Sequence, residues 1–271
     1  MAPAGSFESL AAALQGGADS VYFGVGKLNM RSRATANFSE EDLPEIVARC
    51  HEAGAKAYLT LNIIVYDEEL EAVHALCGSA RKAGVDAVIA SDLAVIAHAR
   101  SIGLEVHMSV QANVCNMASV RFYAQYADVV VLARELTLAQ IRHIIESIRK
   151  EDVRAPSGEL LRVEIFAHGA LCMSFSGACL LSSMAGERSG NRGTCAQPCR
   201  KRMGLDYMPG RDEYDLSLGD LCMIEYLAEL KQAGVSCIKL EGRMKRAEYV
   251  AVVTRAYRDA LDGADKAEIS R

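Results

Sequence analysis

Cys172, Cys179, Cys195 and Cys199 crowd into one stretch of this 271-residue chain with the spacing C-x6-C-x15-C-x3-C, and Cys222 follows a short way on. Thiolates in a group of four suit an iron-sulfur cluster or zinc, because both need anionic sulfur to offset metal charge. The stretch lacks the paired C-x2-C knuckles of structural zinc sites, which favours a cluster. Which four of the five bind stays open at this level. Cys199 is close to Cys195 but follows Pro198 and precedes basic residues, whereas Cys222, read as opening the next helix, would pin the stretch back onto the fold. The plain alternative is a group of free or buried thiols. Cys50, Cys77 and Cys237 sit among apolar residues and read as small core side chains, while Cys115 is ambiguous.

A second set is polar. Arg31, Asn62, Gln111, Arg134, Glu135, His168, Glu241 and Arg243 each come just after a short apolar run. Taken singly, any of them could be a helix cap or a solvated side chain. Converging on one rim, they would suit a small anionic or amide-bearing ligand, with Arg31, Arg134 and Arg243 as forks for carboxylate or phosphate. A third set is basic: Arg188, Arg192, Arg200, Lys201 and Arg202, then Arg243, Lys245 and Arg246. It would put phosphate-binding charge beside the thiols, a solvated face being the alternative.

The elements that must hold these residues follow one alternation: a β-rich apolar run, a polar turn, then a helical stretch ending in glycine. Eight strands are expected, at 1–3, 20–24, 56–61, 87–90, 105–109, 129–132, 162–167 and 237–240. Helices are expected at 41–53, 68–83, 93–102, 138–150, 220–233 and 248–261. Gly54, Gly84, Gly103 and Gly234 read as helix stops, and Ser39 with Asp42 as a helix start. Parallel strands with crossover helices in a chain of this size predict a single (β/α)8, TIM-barrel-like α/β domain over 1–271, with a cysteine-rich insertion at 168–222 after strand seven. An open α/β sheet is the alternative. In a barrel, the polar residues after each strand would share the active-site rim.

A hydrophobic content of 51% and a charged content of 24% fit one large core. No apolar run is long enough to cross a membrane and no secretory signal is visible, so a cytoplasmic protein with no membrane partner is expected. In that reducing setting clustered thiols point to metal or catalysis rather than disulfides. A formal charge of −5 gives no global pull on nucleic acid, so RNA would need a local basic patch.

Several motifs carry a family resemblance: Ala-Pro-Ala-Gly-Ser6, Gly-Ala-Asp-Ser-Val-Tyr-Phe-Gly24, Asn29-Met-Arg31, His168-Gly-Ala-Leu-Cys172, Ser176-Gly-Ala-Cys179, Asn191-Arg-Gly-Thr-Cys195-Ala-Gln-Pro-Cys199 and Lys239-Leu-Glu-Gly-Arg-Met-Lys245. With them the chain resembles the peptidase U32 family over nearly its whole length. The family name implies collagenase-like proteolysis. Several relatives are instead hydroxylation factors for tRNA wobble uridine, a ribosomal RNA cytidine or a ubiquinone precursor, and the quinone pair carries 4Fe-4S clusters. The resemblance implies Cys172, Cys179, Cys195 and Cys222 as the metal ligands, with Cys199 a bystander or a replaceable neighbour. It also implies a link to prephenate or a similar small carboxylate, which the arginines would hold, and pairing with a second U32 subunit. The leading expectation is an iron-sulfur-dependent factor for RNA hydroxylation, most concretely of tRNA uridine. A peptidase built on Cys172 and His168, and a non-catalytic scaffold stabilised by metal, are the alternatives. Neither an HExxH zinc helix nor a G-x-S-x-G elbow occurs.

Overall fold

Apolar runs alternating with amphipathic helices build the fold of this computed structural model, which describes residues 1–31, 37–175, 178–204 and 212–263. The main sheet contains β1 (Ala2–Pro3), β2 (Ser20–Phe23), β3 (Lys56–Leu61), β4 (Ala87–Ala90), β5 (Glu105–Met108), β6 (Val129–Val131) and β7 (Arg162–Ala170) in sequence order, each parallel to the last. A two-stranded ribbon, β8 (Met203–Gly204) with β9 (Asp212–Glu213), stands apart. Both β10 (Asp220–Cys222) and β11 (Cys237–Leu240) pair with β7, β10 antiparallel and β11 parallel. The sheet curls until its outer parallel strands meet: the Met1 amino group donates to the Ile238 carbonyl at 2.9 Å, and the Leu240 N–H donates to the Met1 carbonyl at 3.1 Å.

Helices α1 (Phe7–Gln15), α2 (Leu43–Glu52), α3 (Leu70–Ala83), α4 (Leu93–Ser101), α5 (Met117–Tyr123), α6 (Leu138–Lys150), α7 (Leu181–Gly186), α8 (Leu227–Ala233) and α9 (Ala247–Asp262) fill the connections. The physical logic is plainest in α6. Ile141, Ile144, Ile145 and Ile148 recur at helical spacing and are all buried, while Thr137 and Gln140 cap the start reciprocally. Helix α3 stops at Gly84, whose φ of 85° a side chain would disfavour. The main core lies between sheet and helices. A smaller cluster, Met1, Tyr22, Tyr58, Ala87 and Ile89, with Cys237 packed against it, forms a second apolar group.

The expected strands are present with ends shifted by a few residues. Three differences bear on function. Strand β7 runs on to Ala170, so His168 lies within a strand rather than after it. Its free upper edge takes β10 as a partner, so residues 220–222 are extended and α8 starts only at Leu227. Cys222 therefore ends a strand paired opposite His168 and does not open a helix. Helices α1, α5 and α7 were not among the expected segments. Of the motif residues, Ser176 and Gly177 lie outside the described residues.

Candidate functional site

The polar residues predicted for the strand ends gather at the carboxyl ends of the parallel strands, around a cavity of about 200 Å³. Glu241, just past β11, is its hinge. One carboxylate oxygen accepts from Arg31 at 2.6 Å and the other from Arg134 at 2.8 Å. Arg134 also donates to the Ala170 carbonyl at 3.3 Å and lies 4.0 Å above the Phe166 ring, leaving its Nε without a partner among the described residues. Arg243 donates to Thr60 Oγ1 at 2.7 Å and Asn29 Oδ1 at 3.2 Å. Asn62 accepts from the Met30 N–H, and its amide reaches Ser109, which donates to Gln111. Burial alone would raise the Glu241 pKa, but the Arg134, Arg31 and Arg243 guanidiniums hold the carboxyl below its ordinary range. Burial and the facing Arg31 push Arg243 down to about 10.

Beneath this rim, Lys239 of β11 and Glu164 of β7 form an ion pair of 3.0 Å, their side chains 5% and 1% exposed. Lys239 lines the cavity, with its Nζ 4.4 Å from the Tyr22 ring centroid and 5.5 Å from that of Phe166. Arg31, Arg134, Arg200, Lys239 and Arg243 line the cavity against Glu241, with Glu164 beneath, so cations exceed carboxylates by three before thiols are counted. Such a site attracts anions.

The cysteine stretch forms the outer wall. Cys172, Cys179, Cys195 and Cys199 all line the cavity. Arg200 holds the stretch together, donating to the Leu171 carbonyl at 2.5 Å, to Ser217 at 2.8 Å and to the Leu218 carbonyl. Arg192 ties it to the β3–α3 connection, donating to Glu69 Oε2 at 2.7 Å and Oε1 at 2.5 Å while stacking 4.0 Å over Tyr66. Two sulfurs accept backbone N–H groups: Cys179 from Leu181 at 3.4 Å and Cys195 from Gln197 at 3.3 Å. Sulfur is the donor that iron-sulfur clusters and zinc take from a protein. Donor chemistry therefore fits a sulfur-held metal group. Among the described residues no three Cys, His, Asp or Glu side chains converge as placed on one metal position.

Of the predicted residues, the cavity collects Arg31, Asn62, Gln111, Arg134, Glu241, Arg243, Cys172, Cys179 and Cys195. Glu135 is exposed and does not line it. Neither does His168: it packs against α9, with its ring centroid 5.5 Å from that of Tyr257, and burial pushes its imidazole pKa down. Cys222 is also outside, its Sγ 4.0 Å from the Tyr257 hydroxyl. Sequence reading missed Tyr22, Thr60, Ser109, Phe166 and Lys239 as cavity residues. All but Ser109 are strand residues, and alternation along β2, β3, β7 and β11 was the available signal. The basic set is largely engaged within the fold, through Arg192, Arg200 and Arg243, and Arg188 donates to the Thr194 carbonyl. Lys201, Lys245 and Arg246 remain exposed.

Residues 5–271 match the family model for peptidase family U32. The chain is 46% identical over 269 residues to a collagenase of Porphyromonas gingivalis, covering 97% of this chain and 65% of that protein. It is 34% identical over 275 residues to a tRNA hydroxylation protein of Bacillus subtilis, covering 97% and 62% respectively. A 23S rRNA 5-hydroxycytidine synthase of Escherichia coli is 36% identical over 251 residues, covering 91% of this chain and 36% of the enzyme. The chain thus spans less than two thirds of the length of these relatives. Among solved structures, the U32 peptidase Mk0906 aligns with a TM-score of 0.53 at 14% identity, covering 84% of this chain and 86% of its own, a likeness of fold. No helix among the described residues is long and apolar enough to cross a membrane.

Proposed function

This chain belongs to peptidase family U32, and we propose that it is the core of a cytoplasmic RNA hydroxylation factor, acting on a tRNA uridine, with a small carboxylate and an iron-sulfur cluster in one cavity. The observation that carries this reading is the shared wall: an excess of buried positive charge and thiols receiving N–H donors face the same space. The tRNA and rRNA hydroxylation relatives support the reaction class. The curled sheet with meeting edges supports a (β/α)8 barrel whose rim is the reaction site.

Arg31, Arg134 and Arg243 would hold the carboxylate of prephenate or a similar acid, and Asn62, Ser109 and Gln111 would orient its remaining polar groups. Cys172, Cys179 and Cys195 would hold a 4Fe-4S cluster together with Cys222, as the family resemblance implies, or with Cys199, which lies on the same wall. The cluster supplies electron transfer that side chains cannot. Exposed Lys201, Lys245 and Arg246 would meet RNA phosphates, and a paired U32 subunit would complete the docking surface. Mass spectrometry of ribonucleosides from a deletion strain tests the reading. Loss of one hydroxylated base, restored by the intact gene and not by an Arg134→Ala copy, is the expected result; an unchanged profile removes it.

Peptide hydrolysis is the second reading, favoured by the Porphyromonas relative named as a collagenase. Its sequence candidate is the Cys172 and His168 dyad, and His168 faces α9 rather than the cavity that Cys172 lines. Cleavage of gelatin by purified, metal-free protein, abolished by Cys172→Ser, would restore it.

A further inference from the structure

Lys239 has no role in the reading above beyond adding charge, yet its amine sits where a nucleophile would be placed. Its Nζ lies beneath the arginine rim, on the wall of the cavity, between the faces of Tyr22 and Phe166. The guanidiniums that would anchor a carboxylate share those two rings: Arg134 lies 4.0 Å from the Phe166 centroid and Arg243 5.8 Å from the Tyr22 centroid. A carboxylate held by either arginine therefore brings a carbonyl on its neighbouring carbon toward Lys239. A lysine amine on the wall of a cavity, held between aromatic faces beside a site for a carboxylate, is placed to form a Schiff base with a bound carbonyl compound.

A proton acceptor is in place as well. Glu164 binds the Lys239 amine through Oε1 at 3.0 Å, and its fully buried Oε2 meets no nitrogen or oxygen donor among the described residues, only the weak thiol donor of Cys237 lying beside the carboxylate. An inert ion pair at this depth would be expected to satisfy both carboxylate oxygens, since a buried lone pair left bare is costly.

We propose that Lys239 forms an imine with the ketone of a 2-oxo acid whose carboxylate is held by Arg134 and Arg243. This rests on the reading that the cavity takes a small carboxylate. Glu164 first accepts a proton from the Lys239 ammonium. The freed amine then adds to the keto carbon, forming the C–N bond. The ketone oxygen departs with the two remaining amine protons as water, breaking the C–O bond. The proton on Glu164 returns to the imine nitrogen, giving an iminium next to the bound carboxylate. No oxidant or reductant is consumed. The iminium would fix the acid in the cavity and draw electrons from the adjacent carbon.

Purified protein is incubated with pyruvate, 2-oxoglutarate or phenylpyruvate, treated with sodium borohydride and analysed as intact protein and by peptide mapping. Calorimetry on the same three acids, without borohydride, reads binding separately. The expected result is a stoichiometric adduct with the mass of one acid less one oxygen, mapped to Lys239. Lys239→Arg keeps the charge and ion pair, and should bind the acid yet give no adduct. Acid that binds without a borohydride-trapped adduct, or an adduct spread over surface lysines, overturns the imine while leaving carboxylate binding intact. Absence of binding by all three acids overturns both.

Discussion

Replacing Glu241 by Gln removes the one carboxylate that joins Arg31 to Arg134, and its consequence can be worked through. Both contacts are short, at 2.6 and 2.8 Å, and the side chains are 17% exposed for Glu241, 30% for Arg31 and 15% for Arg134. Taking one partner from a largely buried pair costs about 3 kcal/mol, at the lower end because Arg31 keeps some water. For a chain of this length that corresponds to about 6 °C in Tm. The same change opens an anion site that Glu241 fills in the native chain. A dicarboxylate at about 100 times its Kd would return about 2.7 kcal/mol to the variant, nearly the whole loss. Native protein should gain less, because the ligand must compete with Glu241. Differential scanning fluorimetry of both proteins against malonate concentration reads both effects. The pH dependence has a fixed sign. Glu241 has a folded pKa below its unfolded value, so its contribution is present above the ordinary carboxylate range. The gap between native and variant Tm should therefore close as pH falls through the depressed pKa. Equal Tm values at neutral pH, or malonate shifts no larger in the variant, would refute the claim that Glu241 occupies a carboxylate site.

Three further outcomes are expected. Cys179→Ala and Cys195→Ala should lose iron and sulfide after anaerobic reconstitution while Cys50→Ala, deep in the core, keeps them; comparing Cys199→Ala with Cys222→Ala identifies the fourth ligand. Arg192→Ala should cost about 1.5–3 kcal/mol from its lost charge-assisted hydrogen bonds and speed proteolytic nicking between residues 178 and 204, so an unchanged digestion pattern would count against its tethering role. Glu105, despite partial burial, is held at a pKa of about 2 by His107 and Arg162. Glu105→Gln should be less stable than the native chain above about pH 4.3, and the difference should vanish as pH falls to about 2, as followed by urea unfolding across pH.

The alternation of strands and helices was readable because each apolar run is short and several helices stop at a glycine, as at Gly84 and Gly234. Helix α5 was not, since Val120 is its only fully buried residue and leaves no periodic stripe. Arg31, Arg134 and Arg243 could be singled out because each stands just past an apolar run. That Glu241 would satisfy two of them could not, because those contacts join residues 210 and 107 positions apart. Glu164 and Lys239 were hidden by the same cause: within a strand a charged residue reads as a defect until its partner, 75 positions away, is known. The placement of Cys222 at a helix start was wrong because Asp220-Leu-Cys222 merges in pattern with the helix behind it, and only the extra length of β7 gives it a strand to join.

That extra length also bears on how such a molecule could diversify. Ala170 and Asp220 face each other across β7 and β10, so the cysteine stretch leaves and re-enters the sheet at one point. Doubling the length of a loop whose ends already touch costs only about 0.6 kcal/mol in closure entropy. A change of length between residues 171 and 219 is thus felt little by the strand pairing below, so long as Arg192 keeps its hold on Glu69 and Arg200 its hold on the Leu171 carbonyl. One curled-sheet chassis can carry thiol-bearing stretches of different length, which redraws the outer wall of the cavity while the arginine rim set by the strand ends stays in place.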